Sequence, residues 1–193
     1  MAAAIGNRGY YYTPHIIKNI EGDTVPSQYT TPKYTTIDKK HFEPVVQGMF
    51  DVYNKGTAKS LQIKDIEICG KTGTAENYAI IDNVKTQLTD HSIFVAFAPK
   101  DNPKIAIAVF VENGYYGSRF AGRMASLMIE RYLKGEISRP DMENFVLRYS
   151  LEHEYEKPYL GESFGINKQT KLVPIDDQEF QNIMKLKSEI PKS

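Results

Sequence analysis

From Asp38 to Ala58 the chain reads DKKHFEPVVQGMFDVYNKGTA, and the apolar side chains Phe42, Val45, Val46, Met49, Phe50 and Tyr53 recur at steps of three and four residues. Such a stripe runs down one side of an α-helix, because a 3.6-residue turn returns every third or fourth side chain to the same face. Asp38 offers a capping oxygen, Pro44 is tolerated only in the first turn, and Gly56 stops the element. A second helix is predicted over RFAGRMASLMIERYLKGE, with Phe120, Met124, Leu127, Met128, Arg131 and Leu133 at helical spacing and Gly135 as its stop. The opening MAAAIGNRGYY reads as the last turns of a helix closed by Gly6-Asn7 and Gly9, residue types suited to left-handed backbone. So short a helix supports itself poorly in water, and the chain is expected to be cut from something longer.

The pattern changes elsewhere to strand-like runs. SIFVAFAP (Ser92 to Pro99) and KIAIAVFVEN (Lys104 to Asn113) are apolar stretches of strand length joined by KDNP, which predicts an antiparallel hairpin buried on both faces. YYYTPHIIKNI (Tyr10 to Ile20) and QYTTPKYTTI (Gln28 to Ile37) are rich in aromatic and β-branched residues and predict a hairpin or two extended arms, with Pro14 and Pro32 at edge positions. Beyond Gly135 the pattern weakens, and only Met142 to Glu154 and Asp177 to Lys187 suggest helices. The expected fold class is α+β, an antiparallel sheet flanked by helices over residues 1–135, followed by a partly helical or flexible extension over 136–193.

Composition narrows the function. Lys plus Arg and Asp plus Glu number 24 each in 193 residues, so no net field draws in nucleic acid or an anionic membrane. No window approaches the roughly 20 apolar residues of a membrane span, and the first residues lack the pattern of a signal peptide. The polypeptide as written is expected to be soluble. One cysteine, Cys69, excludes an internal disulfide, and His15, His41, His91 and His153 lack ligand spacing, so no metal or other cofactor is expected.

The chemistry concentrates in EICGKTGTAEN, Glu67 to Asn77. A phosphate-binding loop needs a glycine five residues before Gly70, and that position is Asp65, an anion where phosphate must approach. No helical stripe follows Gly73 either, so the nucleotide reading fails. The plainer alternative is an edge strand with a solvated lysine, Thr72 and Thr74 present for β-propensity and Gly73 marking a bulge.

GKTGTAE, however, resembles the third active-site box of the penicillin-recognising serine acyltransferases. The order of helix, K-T-G strand, apolar hairpin and final helix is similar as well. Within that group the likeness is to class B penicillin-binding proteins of the elongation type, the penicillin-binding protein 2 group, and it extends over about Met1 to Gly135. MAAAIGNRGYYYTPHIIKNI and FVAFAPKDNPKIAIAVFVENG carry it beside the box.

The resemblance implies a peptidoglycan D,D-transpeptidase, in which a serine attacks the penultimate D-Ala carbonyl of a stem peptide and an amine resolves the acyl-enzyme. It implies that Lys71 supplies positive charge to the site, that the Thr72 and Thr74 hydroxyls hold the donor's terminal carboxylate, and that Gly73 lets the substrate backbone lie along the strand. The Thr74 N–H would be one donor of the oxyanion hole. It further implies stem peptides and β-lactams as ligands, cell-elongation proteins as partners, and a parent anchored in the bacterial inner membrane with this part in the periplasm.

The chain departs from that pattern in lacking the nucleophile. The serine belongs to an S-x-x-K box, and Ser27, Ser60, Ser92, Ser118, Ser126, Ser138, Ser150, Ser163 and Ser188 all lack a lysine three residues on. An S-x-N box is absent too. Thr36 and Lys39 have T-x-x-K spacing but sit before a helix rather than at its start. The chain is therefore expected to be a C-terminal piece of a transpeptidase domain, inactive alone. The alternatives are a β-lactam sensor domain and a non-catalytic binding module. The residues after Gly135 exceed the short tail that the resemblance implies, and part of the helical layer is expected to be missing, which exposes apolar surface.

Overall fold

The computed structural model describes residues 1–19, 21–156 and 172–190. Ile20 at the end of the first predicted arm, Ser163 and part of the C-terminal extension lie outside them. The fold begins with α1 (Ala2–Gly6), closed by left-handed backbone at Arg8 (φ 55°) and Gly9 (φ 113°), with Gly9 N donating to Ala4 O. Of the two predicted arms only β1 (Tyr10–Tyr11) and β2 (Lys33–Tyr34) pair, and Ser27–Thr30 forms a single helical turn, α2, between them. Prolines 14, 26 and 32 remove the donors a longer ladder needs. Asp38 caps the approach to α3 (Phe42–Asn54) by accepting from Lys40 N, and Pro44 falls in its first turn as predicted.

The centre is a three-stranded antiparallel sheet in the order β3-β4-β5, from Cys69–Ile81, Val84–Ala98 and Ile105–Val111. The β3–β4 hairpin is far longer than the apolar run alone predicts. It closes through Asp82 and Asn83, both at positive φ (50° and 61°), the two-residue geometry that matches strand twist. Residues directly opposite in an antiparallel pair project to one face. Gly70, Thr72 and Thr74 therefore share a face with Ala96, Phe94 and Ser92, which in turn face Ile107, Val109 and Val111. α4 (Ala121–Lys134) covers that face, and Ala121, Ala125 and Ile129 join Phe94, Ala96 and Ala98 in the larger core.

Two expectations need correction here. The β4–β5 hairpin is not buried on both faces: β5 alternates between half-buried and exposed, and Phe110 is 54% exposed. Only at the Cys69–Phe97 end is the second face closed, by Val46 and Met49 of α3. In α4 the buried positions are Ala121, Gly122, Ala125, Ser126, Leu127, Ile129 and Glu130, whereas Met128 is 53% exposed. Small side chains let the helix approach the sheet closely, and close packing decides which face is buried.

After Gly135 (φ 78°), α5 (Pro140–Arg148) stops short of the predicted Glu154. Tyr149 turns extended and forms β6 (Tyr149–Ser150), which pairs with β7 (Val173–Pro174). A one-turn helix, α6 (His153–Glu156), and α7 (Asp177–Glu189) complete the described chain, the latter capped by Asp176, which accepts from Glu179 N at 2.9 Å. Among the described residues no helix is long and apolar enough to cross a membrane.

Candidate active-site strand

Gly70 starts the site by what it lacks. A Cβ there would fall 2.7 Å from Cζ of Phe94, so only glycine lets the core phenyl ring rise against β3 at this point. One residue earlier, Cys69 is buried and pairs with Phe97; burial pushes its thiol up to about 12, so it stays protonated and is no nucleophile. From Lys71 onward the strand emerges, with Lys71 and Thr74 exposed and Thr72 and Gly73 half-buried.

β3 is the edge strand on this side, with no strand outside it among the described residues. An open edge presents unpaired N–H and C=O groups to an incoming chain. Lys71 Nζ donates to Thr72 O at 2.6 Å, which brings the ammonium round to the strand's own backbone. The two-residue repeat puts the Thr72 carbonyl and the Thr74 N–H on the same edge of the strand. The Thr72 hydroxyl lies 3.0 Å from the hydroxyl of Thr57, in the segment after α3. Thr57 is a contact that no periodicity in the sequence announces.

The loop between β5 and α4 walls the strand. Ser92 Oγ donates to Tyr116 O (2.9 Å) and accepts from Ala121 N (3.1 Å), which ties the loop and the start of α4 to β4. Asn113 and Tyr115 take positive φ (52° and 70°) to make the bend. Gly117 then lies against the K-T-G backbone, since a Cβ on it would fall 2.6 Å from Ile93 O and 2.7 and 2.8 Å from Gly73 O and N.

The structure thus places the four predicted residues Lys71 to Thr74 together on one accessible edge. Among the described residues, Ser92 and Ser126 are fully buried and bonded to backbone, so neither serves there as a nucleophile. Thr36 is exposed in a bend and Lys39 opens a short 3₁₀ turn, so the T-x-x-K spacing assembles nothing. A groove of about 590 Å³ bordered by Phe50, Tyr53, Ile63, Ile66 and Ile68 contains none of Lys71 to Thr74. No group of three or more His, Cys, Asp or Glu side chains suited to a metal occurs among the described residues.

The family described as penicillin binding protein transpeptidase domain matches residues 1–130. Peptidoglycan D,D-transpeptidase MrdA of Haemophilus influenzae is 32% identical over 176 residues, covering 83% of this chain and 26% of that protein. MrdA of Escherichia coli K12 is 30% identical over 135 residues, covering 63% of this chain and 21% of that protein. Among solved structures, Pseudomonas aeruginosa PBP2 in complex with WCK 5153 superposes with TM-score 0.56 at 32% identity, over 68% of this chain and 28% of that one. Penicillin-binding protein A of Mycobacterium tuberculosis, solved as a ceftriaxone acyl-enzyme complex, gives TM-score 0.55 at 25% identity, over 68% and 30%. The chain spans about a quarter of the length of the curated relatives it matches. With the family match running from α1 into α4, over more than half of its length, the chain belongs to the penicillin-binding protein transpeptidase domain family.

Proposed function

We propose that this chain is the C-terminal part of a peptidoglycan D,D-transpeptidase of the elongation type and carries the K-T-G wall of its active site. The observation that supports this most directly is GKTGTAE on the open edge of β3, in a chain whose relatives are D,D-transpeptidases. The nucleophilic serine and the S-x-N box come from a part of the parent protein outside this chain, since no serine here has a lysine three residues on. Residues 1–135 form the transpeptidase part and 136–193 an extension; the family match ends at 130 and α4 stops at Gly135.

In the assembled site the donor stem peptide lies antiparallel or parallel to β3 as an added strand, beside Gly73. Lys71 places positive charge near the reacting serine, and the Thr72 and Thr74 hydroxyls bind the terminal carboxylate. The Thr74 N–H donates to the oxyanion of the tetrahedral intermediate; one such donor is worth about 2.7–4 kcal/mol in the transition state. No cofactor takes part. β-Lactams occupy the same place as the stem peptide, the parent is anchored in the inner membrane with this part in the periplasm, and elongation proteins are its partners. A β-lactam sensor uses the same box, but the relatives named above carry transpeptidase names.

The test is labelling of the full-length parent with fluorescent penicillin. Wild type is expected to label, Lys71→Ala to lose the label, and this chain alone to take none. Unchanged labelling of Lys71→Ala sinks the role given to Lys71, and labelling of the isolated chain sinks the missing-nucleophile reading.

A further inference from the structure

The register of the β3–β4 hairpin slips at one place. Ala75 pairs with His91 but Asn77 with Leu88, so Thr89 and Asp90 together oppose the single residue Glu76, a bulge in β4 just beyond the K-T-G box. A bulge left to itself is a weak point in a ladder, and here it is pinned. The Asn77 side chain donates to Thr89 O (3.2 Å) and to Asn113 Oδ1 (3.0 Å), and Tyr115 N donates to Asp90 O (2.9 Å).

A further anchor comes from the C-terminal extension. Glu154, in the one-turn helix α6, has its side chain fully buried, and it lies beyond the family match. Its two oxygens accept from different elements: Oε2 from the Thr89 hydroxyl of the bulge at 2.5 Å, and Oε1 from the Tyr115 hydroxyl of the β5–α4 loop. His153 Nε2 lies 2.9 Å from Oε1. A carboxylate so buried is held only where donors meet it, and these donors come from the two segments that frame the K-T-G strand. Two residues past Tyr115, Gly117 rests on the backbone of Gly73.

We propose that Glu154 is a positioning residue for acylation: by holding the bulge and the β5–α4 loop at once, it fixes the wall along which the donor peptide lies. This inference rests on the transpeptidase reading above. It gives the C-terminal extension a task that a solvent-facing tail would not have, since contiguous hydrogen-bonded contacts carry coupling between separated sites.

The test uses the full-length parent and fluorescent penicillin, with active sites titrated so that rate is read per competent molecule. Glu154→Gln keeps the size of the side chain but turns one acceptor into a donor facing a hydroxyl. The acylation rate constant per titrated site is expected to fall about 10- to 100-fold, the scale on which small misplacements act, with pre-acylation binding changed far less. A merely structural role would lower the titrated fraction and leave the rate per site unchanged. Tyr115→Phe, which keeps the ring, is expected to slow acylation in the same direction and serves if Glu154→Gln does not fold. In the double variant the losses are expected not to add, because the two groups share one bond. A rate per site within twofold of wild type in both single variants overturns the inference while leaving the transpeptidase reading intact; wild type that does not label overturns both.

Discussion

At Gly117 a single added methyl group meets three backbone atoms of the K-T-G ladder within 2.8 Å. Backbone cannot swing aside as a side-chain end can, so Gly117→Ala is expected to lower stability by about 1–3 kcal/mol, as overpacking does. At Gly48, on the exposed side of α3, a Cβ meets nothing within 4 Å, and the same substitution is expected to leave stability equal or higher. Urea midpoints of the two variants check this; equal midpoints would show that the loop is not pressed onto the strand. Lys71 to Thr74 stand out as a group in the sequence because one run holds them all. Gly117 was not, because a glycine between Tyr116 and Ser118 looks like any turn until the strand beneath it is known.

The elements show the same division. Although Val45 is 46% exposed, α3 follows its apolar stripe at Phe42, Val46, Met49 and Tyr53, its buried residues. α4 does not, because its small residues meet the sheet and a carboxylate lies in its buried face. Glu130 is fully buried and accepts from Ser138 Oγ (2.6 Å) and Arg139 Nε (2.9 Å), while Arg139 also reaches Ser126 Oγ and Leu61 O. Burial by itself raises the Glu130 carboxyl, but the hydrogen bonds from Ser138 and Arg139 and the guanidinium charge outweigh it and hold it below the usual carboxylate range. A depressed native value means stability that is present above the unfolded value of about 4.3 and lost as pH falls through the native one. Thermal melts across that acid range are expected to fall less steeply in Glu130→Gln than in wild type, and equal slopes would sink this assignment. Arg139→Ala, which strands the buried carboxylate, is expected to cost about 3–5 kcal/mol in chemical denaturation. No helical spacing could foretell this pair, because Arg139 stands outside the helix that carries Glu130.

For the whole molecule, the sheet is covered on one face and only partly on the other. Phe110 on β5 and the hairpin residues Tyr78, Ile80 and Val84 are 54%, 54%, 77% and 62% exposed. Apolar surface of this kind seeks a partner. The isolated chain is expected to bind a hydrophobic dye and to associate as concentration rises; a monodisperse monomer without dye binding would overturn this. What the sequence by itself determined was whatever depends on neighbours along the chain: the stripe of α3, the apolar cores of β4 and β5, the stop at Gly135, and a box of residues specific enough to carry a family resemblance. Tertiary structure alone decided which face of α4 is buried, where the β4 bulge falls, that Gly117 leans on Gly73, and that Glu154 reaches Thr89 and Tyr115, 65 and 39 residues away. The physical reason is range. Helical and strand periodicity arise from bonds a few residues long, whereas a buried carboxylate finds its donors only after the sheet, loop and extension have folded onto one another.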